Sequence, residues 1–295
     1  MSPLIWISKN QPQMKEARQK VFRTQRRSLV LGEKTHLVGI LNLTPDSFSD
    51  GGDYNDYQKA EAQFEKMLAD GATIIDIGGE STRPNHLPIS VDEEINRVLP
   101  FLQRIRPKTD CLISIDTSKS KVAQECLEAG ADIINDVWGG QRDSEMLSVI
   151  ADYDAACILM HNADGTLAWQ GNLMPSIEAF LQVSIDAALR AGVHESGIII
   201  DPGFGFGKNF SDNWTIMREL ERLKCLGWPI LLGASRKSMI AQLLDIEDPK
   251  ERLYGTLATT AWASMHAIDF VRVHDVLANS HCTQVINYCR HHEAN

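Results

Sequence analysis

The reading of the fold turns on residues 73–119, TIIDIGGESTRPNHLPISVDEEINRVLPFLQRIRPKTDCLISIDTSK. Two short runs rich in β-branched residues, 73–77 (TIIDI) and 111–115 (CLISI), enclose a longer stretch, 92–105, whose apolar residues recur at helical spacing. Such a β-α-β unit predicts two parallel strands joined by a helical crossover. The same alternation continues on both sides. Further apolar runs lie at 37–41 (LVGIL), 132–135 (DIIN), 155–159 (AACIL), 197–200 (GIII), 229–232 (PILL) and 269–273 (DFVRV). Helix-like stretches at 57–69, 119–129, 176–191, 213–226 and 251–266 separate most of them. Eight strands in about 250 residues is the count and size of an α/β (β/α)8 TIM barrel. A doubly wound open sheet is the competing architecture. No domain-sized linker or repeat interrupts the series, so a single catalytic domain is expected over 35–290, after an N-terminal extension over 1–34.

Composition narrows the class. The chain has 295 residues, 43% hydrophobic and 23% charged, with 29 Lys and Arg against 39 Asp and Glu, a net charge of −10. That is a globular composition, and it argues against general binding to nucleic acid or an anionic membrane. Residues 1–34 run the other way, with eight basic side chains against Glu16 and Glu33. They lack the apolar core of a secretory signal, and a surface arm or a helix across the barrel bottom is the expectation there. Cys111, Cys126, Cys157, Cys225, Cys282 and Cys289 show no metal-site spacing, which fits reduced thiols in the cytoplasm. No apolar run approaches the ~18–20 residues needed to cross a bilayer.

In a barrel, chemistry gathers where strands end and loops begin. Those positions carry Asn42, Asp116, Asn135, His161, Asp201, Lys237, Arg272 and His274, with Gly78-Gly79-Glu80-Ser81-Thr82-Arg83-Pro84 after the second strand. One of them alone, such as Asp116 before a helix, reads equally well as a helix cap. Eight converging on one face do not. Asp116, Asn135 and Asp201 offer acceptors and an amide for the edge of a flat, nitrogen-rich heterocycle. Arg236, Lys237, Arg272 and His274 supply positive charge for an anionic group. Gly203, Gly205 and Gly207 would let backbone approach a ligand closely, and Phe48 and Phe206 would stack or wall a second pocket. GFGFGK lacks the spacing of a phosphate-binding P-loop, and neither a zinc-protease motif nor a nucleophile elbow is present.

At these residues the chain resembles the dihydropteroate synthase family of pterin-binding enzymes. The resemblance rests on GILNLTPDSFSDGG (39–52), DIGGESTRP (76–84), SIDTSK (114–119), INDV (134–137), DPGFGFGKN (201–209), GASRKSMI (233–240) and RVHDV (272–276). It implies a TIM-barrel transferase of folate biosynthesis. That enzyme condenses (7,8-dihydropterin-6-yl)methyl diphosphate with 4-aminobenzoate to 7,8-dihydropteroate and diphosphate, with Mg2+ as cofactor. By resemblance, Asp116, Asn135, Asp201 and Lys237 hold the pterin. Asn42 ligates the metal, and Asn42, Thr82, Arg272 and His274 contact the diphosphate. Phe48, Arg83, Pro84, Phe206 and Ser238 form the aminobenzoate pocket. Asp116, Asp201, Lys237, Arg272 and His274 are the catalytic set. The resemblance further implies a homodimer, a sulfonamide target and a mobile second loop carrying Arg83, and the Gly, Ser and Pro content of loops 43–52 and 80–90 suits them as lids that exclude water.

Departures from the family pattern lie at the rim: Asn85-His86 after Arg83-Pro84, Asn162-Ala163-Asp164-Gly165 after His161, and Trp138-Gly139-Gly140. Two other functions compete. Pterin-dependent methyl transfer to a corrinoid protein needs no diphosphate clamp, which the SRKS segment and Arg272 argue against. A non-catalytic pterin-binding paralogue would carry a broken strand-end residue, and none is found.

Overall fold

A computed structural model describes residues 21–43, 54–80, 87–163 and 172–291. The barrel strands are β3 (His36–Asn42), β4 (Ile74–Gly78), β5 (Leu112–Asp116), β6 (Ile133–Asp136), β7 (Ala156–Met160), β8 (Ile198–Asp201), β9 (Leu231–Leu232) and β10 (Phe270–Val273). All pair in parallel, in the order β8-β7-β6-β5-β4-β3-β10-β9. A parallel bridge between Ile200 and Ile230 joins the two ends and closes the cylinder. Closure excludes the open sheet. The strands are almost wholly buried, as their near-continuous Ile, Leu and Val content requires when helices cover the outside.

Helices α1 (Tyr54–Ala69), α2 (Val91–Ile105), α3 (Ser120–Glu128), α4 (Met146–Asp152), α5 (Leu173–Ala191), α6 (Phe210–Arg218), α7 (Ser238–Leu244), α8 (Leu253–Met265) and α9 (Val276–His291) follow the strands. Local chemistry sets several ends. Ser90 caps α2 by accepting from the Glu93 backbone N–H at 3.1 Å, and Asp92, Glu93 and Glu94 favour its positive end. Asn209 and Asp212 form a reciprocal capping box at the start of α6. The helical pattern read over 213–226 divides here, since α6 stops at Arg218 and Leu220–Leu226 tightens into 3-10 turns. At seven residues each, α4 and α7 are too short for periodicity to announce.

Residues 21–34 are neither a loose arm nor a helix. Val21–Arg23 (β1) and Ser28–Val30 (β2) form an antiparallel hairpin. Its Phe22, Leu29 and Leu31 pack into one cluster with Val38, Ile74, Leu112, Ile133, Ile199, Leu231 and Phe270. Phe22 is fully buried, edge-on to Phe270 with centroids 5.6 Å apart. This hairpin plugs one mouth of the barrel.

That cluster also sets the facing of every strand. Side chains alternate along a strand, so residues two and four positions beyond an inward one also face inward. Val38 therefore leads to Asn42, Ile74 to Asp76, Leu112 to Ser114 and Asp116, Ile133 to Asn135, Ile199 to Asp201, and Phe270 to Arg272. An apolar floor gives way to a polar tier at the opposite mouth. The intervening residues, such as Ile75, Ile113, Ile134, Ile200 and Val271, face the helices in the outer core.

Candidate active site

The polar tier is tied together by Arg272. Its Nε donates to Asp76 Oδ2 at 2.6 Å and its Nη2 to Asp116 Oδ2 at 2.8 Å. Asn135 Nδ2 donates to the same Asp76 oxygen at 3.0 Å. The second oxygens, Asp76 Oδ1 and Asp116 Oδ1, are buried and accept no hydrogen bond. Burial pushes the Asp116 carboxyl up to about 7, with Arg272 pulling it down and Asp76 adding to the rise. Two buried acceptors without donors mark the tier as a place where a ligand's N–H groups belong.

Asp201 stands across the barrel. Its Oδ1 accepts from the Gly203 backbone N–H at 2.6 Å, while burial raises its carboxyl above the usual range against the pull of Lys237. Burial lowers Lys237 to about 8, opposed by Asp201. The Lys237 ammonium donates to the Phe204 carbonyl and lies 4.5 Å from the centre of the Phe206 ring. His274 shares a 2.9 Å hydrogen bond between Nδ1 and Ser235 Oγ, and its backbone N–H donates to the same hydroxyl at 3.2 Å. Ser238 is exposed in the first turn of α7. Asn42 ends β3, with its amide oxygen next to Gly78, which the Asp116 side chain and the Glu80 carbonyl also approach.

The structure thus gathers Asn42, Asp116, Asn135, Asp201, Phe206, Lys237, Arg272 and His274 at one mouth. Phe48, Thr82, Arg83 and Pro84 lie outside the described residues. Two expectations change, at Arg236 and at the loop glycines, while the absence of a cap at Asp116 agrees with the converging-site reading. Arg236 is no free cation, because it forms a two-point pair with Asp275, Nε to Oδ2 at 3.0 Å and Nη2 to Oδ1 at 2.6 Å. Asp116 caps no helix. The Ser120 N–H at the start of α3 is taken by Asp143 Oδ2 at 2.8 Å instead. Gly203 and Gly207 face the loop after β7 rather than a ligand. A Cβ at Gly203 would fall 1.9 Å from the His161 carbonyl oxygen, and one at Gly207 2.0 Å from that of Ala163.

The sequence reading assigned no role to Asp76. Its signal was a lone charge inside an apolar strand, since a carboxylate at zero exposure needs a partner. Asp136, one residue outside the tier, faces away from it and receives the backbone N–H groups of Trp138 and Gly140 at 2.9 and 2.7 Å.

The sequence profile of the family described as pterin binding enzyme matches residues 38–274, from the first barrel strand to the last. Dihydropteroate synthase of Clostridium beijerinckii is 50% identical over 256 residues, covering 86% of this chain and 94% of the relative. This chain therefore belongs to the dihydropteroate synthase family. The family member from Bacillus subtilis is 46% identical over 257 residues, covering 87% of this chain and 89% of its own length. Among solved structures, a dihydropteroate synthase from Clostridium difficile, in the presence of pteroic acid, superposes with a TM-score of 0.85 at 47% identity, covering 89% of this chain and 99% of that one. The family's Xanthomonas albilineans structure with 4-aminobenzoic acid superposes with a TM-score of 0.88 at 36% identity, covering 93% and 100%. Another from that organism holds 7,8-dihydropteroate, with a TM-score of 0.82 at 35% identity, covering 90% and 97%.

Proposed function

We propose that this chain condenses (7,8-dihydropterin-6-yl)methyl diphosphate with 4-aminobenzoate to give 7,8-dihydropteroate and diphosphate. The observation that carries the reading is the pair of buried, donorless oxygens on Asp76 and Asp116, held by Arg272 in a family whose solved relatives bind pteroic acid and 7,8-dihydropteroate. A pterin presents its amino and ring N–H donors along one edge, which two carboxylates can accept. Asn135 and Lys237 supply the complementary donors. Asp201 is proposed to stabilise, through its negative charge, the methylene cation that forms as the diphosphate departs. The aromatic amine of 4-aminobenzoate then attacks the methylene carbon and loses a proton. Phe206 and Ser238, with Phe48, Arg83 and Pro84, are the side chains proposed to seat that second substrate. Thr82 and His274 are proposed for the diphosphate, with His274 oriented by Ser235.

Mg2+ is proposed as the cofactor, with Asn42 as its protein ligand. Among the described residues no group of three His, Cys, Asp or Glu side chains forms a metal cage. A single amide oxygen suits a hard cation whose remaining ligands are water and substrate oxygens. Bound there, the metal balances charge on the departing diphosphate.

A homodimer is proposed from the last two helices, where Tyr254, Met265, Val285 and Tyr288 stand exposed. Six free cysteines support a reducing, cytoplasmic setting, and no described helix is long and apolar enough to cross a membrane.

The test is diphosphate release by the purified protein with pterin diphosphate and Mg2+, with and without 4-aminobenzoate, and the pterin product weighed by mass spectrometry. Aminobenzoate-dependent release with dihydropteroate formed is expected. Tight pterin binding without release would identify a non-catalytic paralogue instead.

A further inference from the structure

We propose that Lys208 and His161 form a positioning pair that fastens the loop after β7 to the loop after β8 and thereby sets where Lys237 and Phe206 stand. The inference rests on the reaction proposed above and names two residues outside its substrate-contacting set. The Lys208 ammonium donates to the Gly203 carbonyl at 2.7 Å, the Phe206 carbonyl at 3.0 Å and His161 Nδ1 at 2.9 Å, with the His161 carbonyl farther off at 3.4 Å. Three of these acceptors lie within 3.0 Å. Segment 203–206 is therefore held from two sides, Lys208 taking the carbonyls of Gly203 and Phe206 while Lys237 takes that of Phe204 between them. Asp201 and Asn213 accept the backbone N–H groups of Gly203 and Gly205 at 2.6 and 2.7 Å, while the two lysines take the segment's carbonyls, so a change at one lysine moves the support of the other.

The pairing also dictates a protonation state. An ammonium only donates, so Nδ1 of His161 accepts and the ring's single proton sits on Nε2. Burial and the Lys208 charge both hold the imidazole neutral, down to about 3, and the Phe180 ring packs edge-on against it at 4.8 Å. Burial lowers Lys208 to about 7, with Asp201 and Asp212 holding its proton on and Lys237 opposing them. The close passage of Gly203 and Gly207 along the His161 and Ala163 carbonyls shows the two loops in backbone contact over the same stretch.

The full-length protein tests this with Lys208→Met, His161→Leu and His161→Gln, assayed for kcat and for the KM of each substrate. His161 is followed by NMR of its ring nitrogens. Lys208→Met and His161→Leu are each expected to lower kcat/KM by about 10- to 100-fold, the effect of misplacing a site by about an ångström. His161→Gln, whose amide oxygen can accept the ammonium proton, recovers most of that loss. In the wild-type protein His161 stays neutral between about pH 5 and 8, as the Nε2–H tautomer below about pH 7 where Lys208 is an ammonium, and in Lys208→Met its pKa rises but stays below ~6.5, because burial, the larger cause, remains. A Lys208→Met variant within about threefold of wild type, a His161→Leu loss that Gln does not recover, or a wild-type His161 that titrates near ~6.5 would each overturn the proposal. If Lys208→Met does not fold, the His161 variants decide. A wild-type protein without turnover would overturn the proposed reaction, and the NMR readout would still judge the pair.

Discussion

Arg272 Nε lies 2.6 Å from Asp76 Oδ2, joining the last barrel strand to the second across the barrel's interior. Asp76 is fully buried and accepts from Asn135 through the same oxygen, so one carboxylate orients both an arginine and an amide that the proposed pterin site uses. Asp76→Asn removes the charge while keeping the shape. Arg272 then balances against Asp116 and, more weakly, Asp201. Breaking a buried pair by removing one partner costs ~3–5 kcal/mol, and the partly exposed guanidinium puts this loss nearer ~2–3 kcal/mol. Urea unfolding reads that loss, and calorimetry with a pterin should show affinity weakened by about tenfold or more. Wild-type values in both would mean that Asp76 is a spectator.

The pH dependence follows from two groups moved toward each other. Asp116 must be ionised to accept from a pterin, and its carboxyl is raised to about 7; Lys237 must be protonated to donate, and it is lowered to about 8. The profile of kcat/KM, which reports the free enzyme, should therefore be a narrow bell between those limits. Asp116→Asn removes the acid limb and Lys237→Met the basic limb, each with a large drop in the maximum. Stability of the ligand-free protein carries the opposite sign on the acid side. Asp116 binds its proton more tightly folded than unfolded, so its contribution is present below about 4 and is lost as pH rises toward about 7. Thermal melts across that range, compared with Asp116→Asn, measure the difference.

Two glycines with similar backbone angles separate strain from collision. Gly203 has φ +73° with the His161 carbonyl oxygen 1.9 Å from where a Cβ would sit; Gly227 has φ +91° with nothing within 4 Å. Alanine at 227 should cost only the left-handed penalty, ~1–2 kcal/mol. Alanine at 203 adds a backbone clash that the paired loops cannot relieve, and a loss above ~3 kcal/mol with weakened turnover is expected. Equal costs in denaturant titration would show that the two loops separate freely.

Much of this site was legible in the sequence because a barrel reduces recognition to counting. Once eight apolar runs are counted, Asp116, Asn135, Asp201 and Arg272 fall at their ends, and period-two alternation aims them inward. Legibility failed where the partner lies far away in the chain. Asp76 and Arg272 are 196 residues apart, as are Asp275 and Arg236 by 39, and no local pattern announces either pair. Lys208 figured only within the 201–209 motif and as the residue that breaks a G-x-G-x-x-G pattern, since its acceptor on His161 comes from another loop. Glycines suited to close approach were read correctly as a backbone requirement, though what comes close is the neighbouring loop. The hairpin was missed because three-residue strands carry no period.

That hairpin supplies the last prediction. Phe22 fills the floor of the barrel beneath Val38, Ile74 and Phe270, at the mouth opposite the polar tier. Its removal as Phe22→Ala should cost ~3–5 kcal/mol through lost burial and the cavity left behind. The inward-facing residues between floor and tier are rigid strand positions, so the cavity has no loop through which to reach Lys237 or Arg272. Urea unfolding should therefore show the full loss, while both KM values stay within about twofold of wild type at a temperature where the variant is folded. A rise in the pterin KM equal to the loss of stability would place the hairpin in the working of the site, and would make the barrel floor and the polar tier one cooperative body rather than a support and a site.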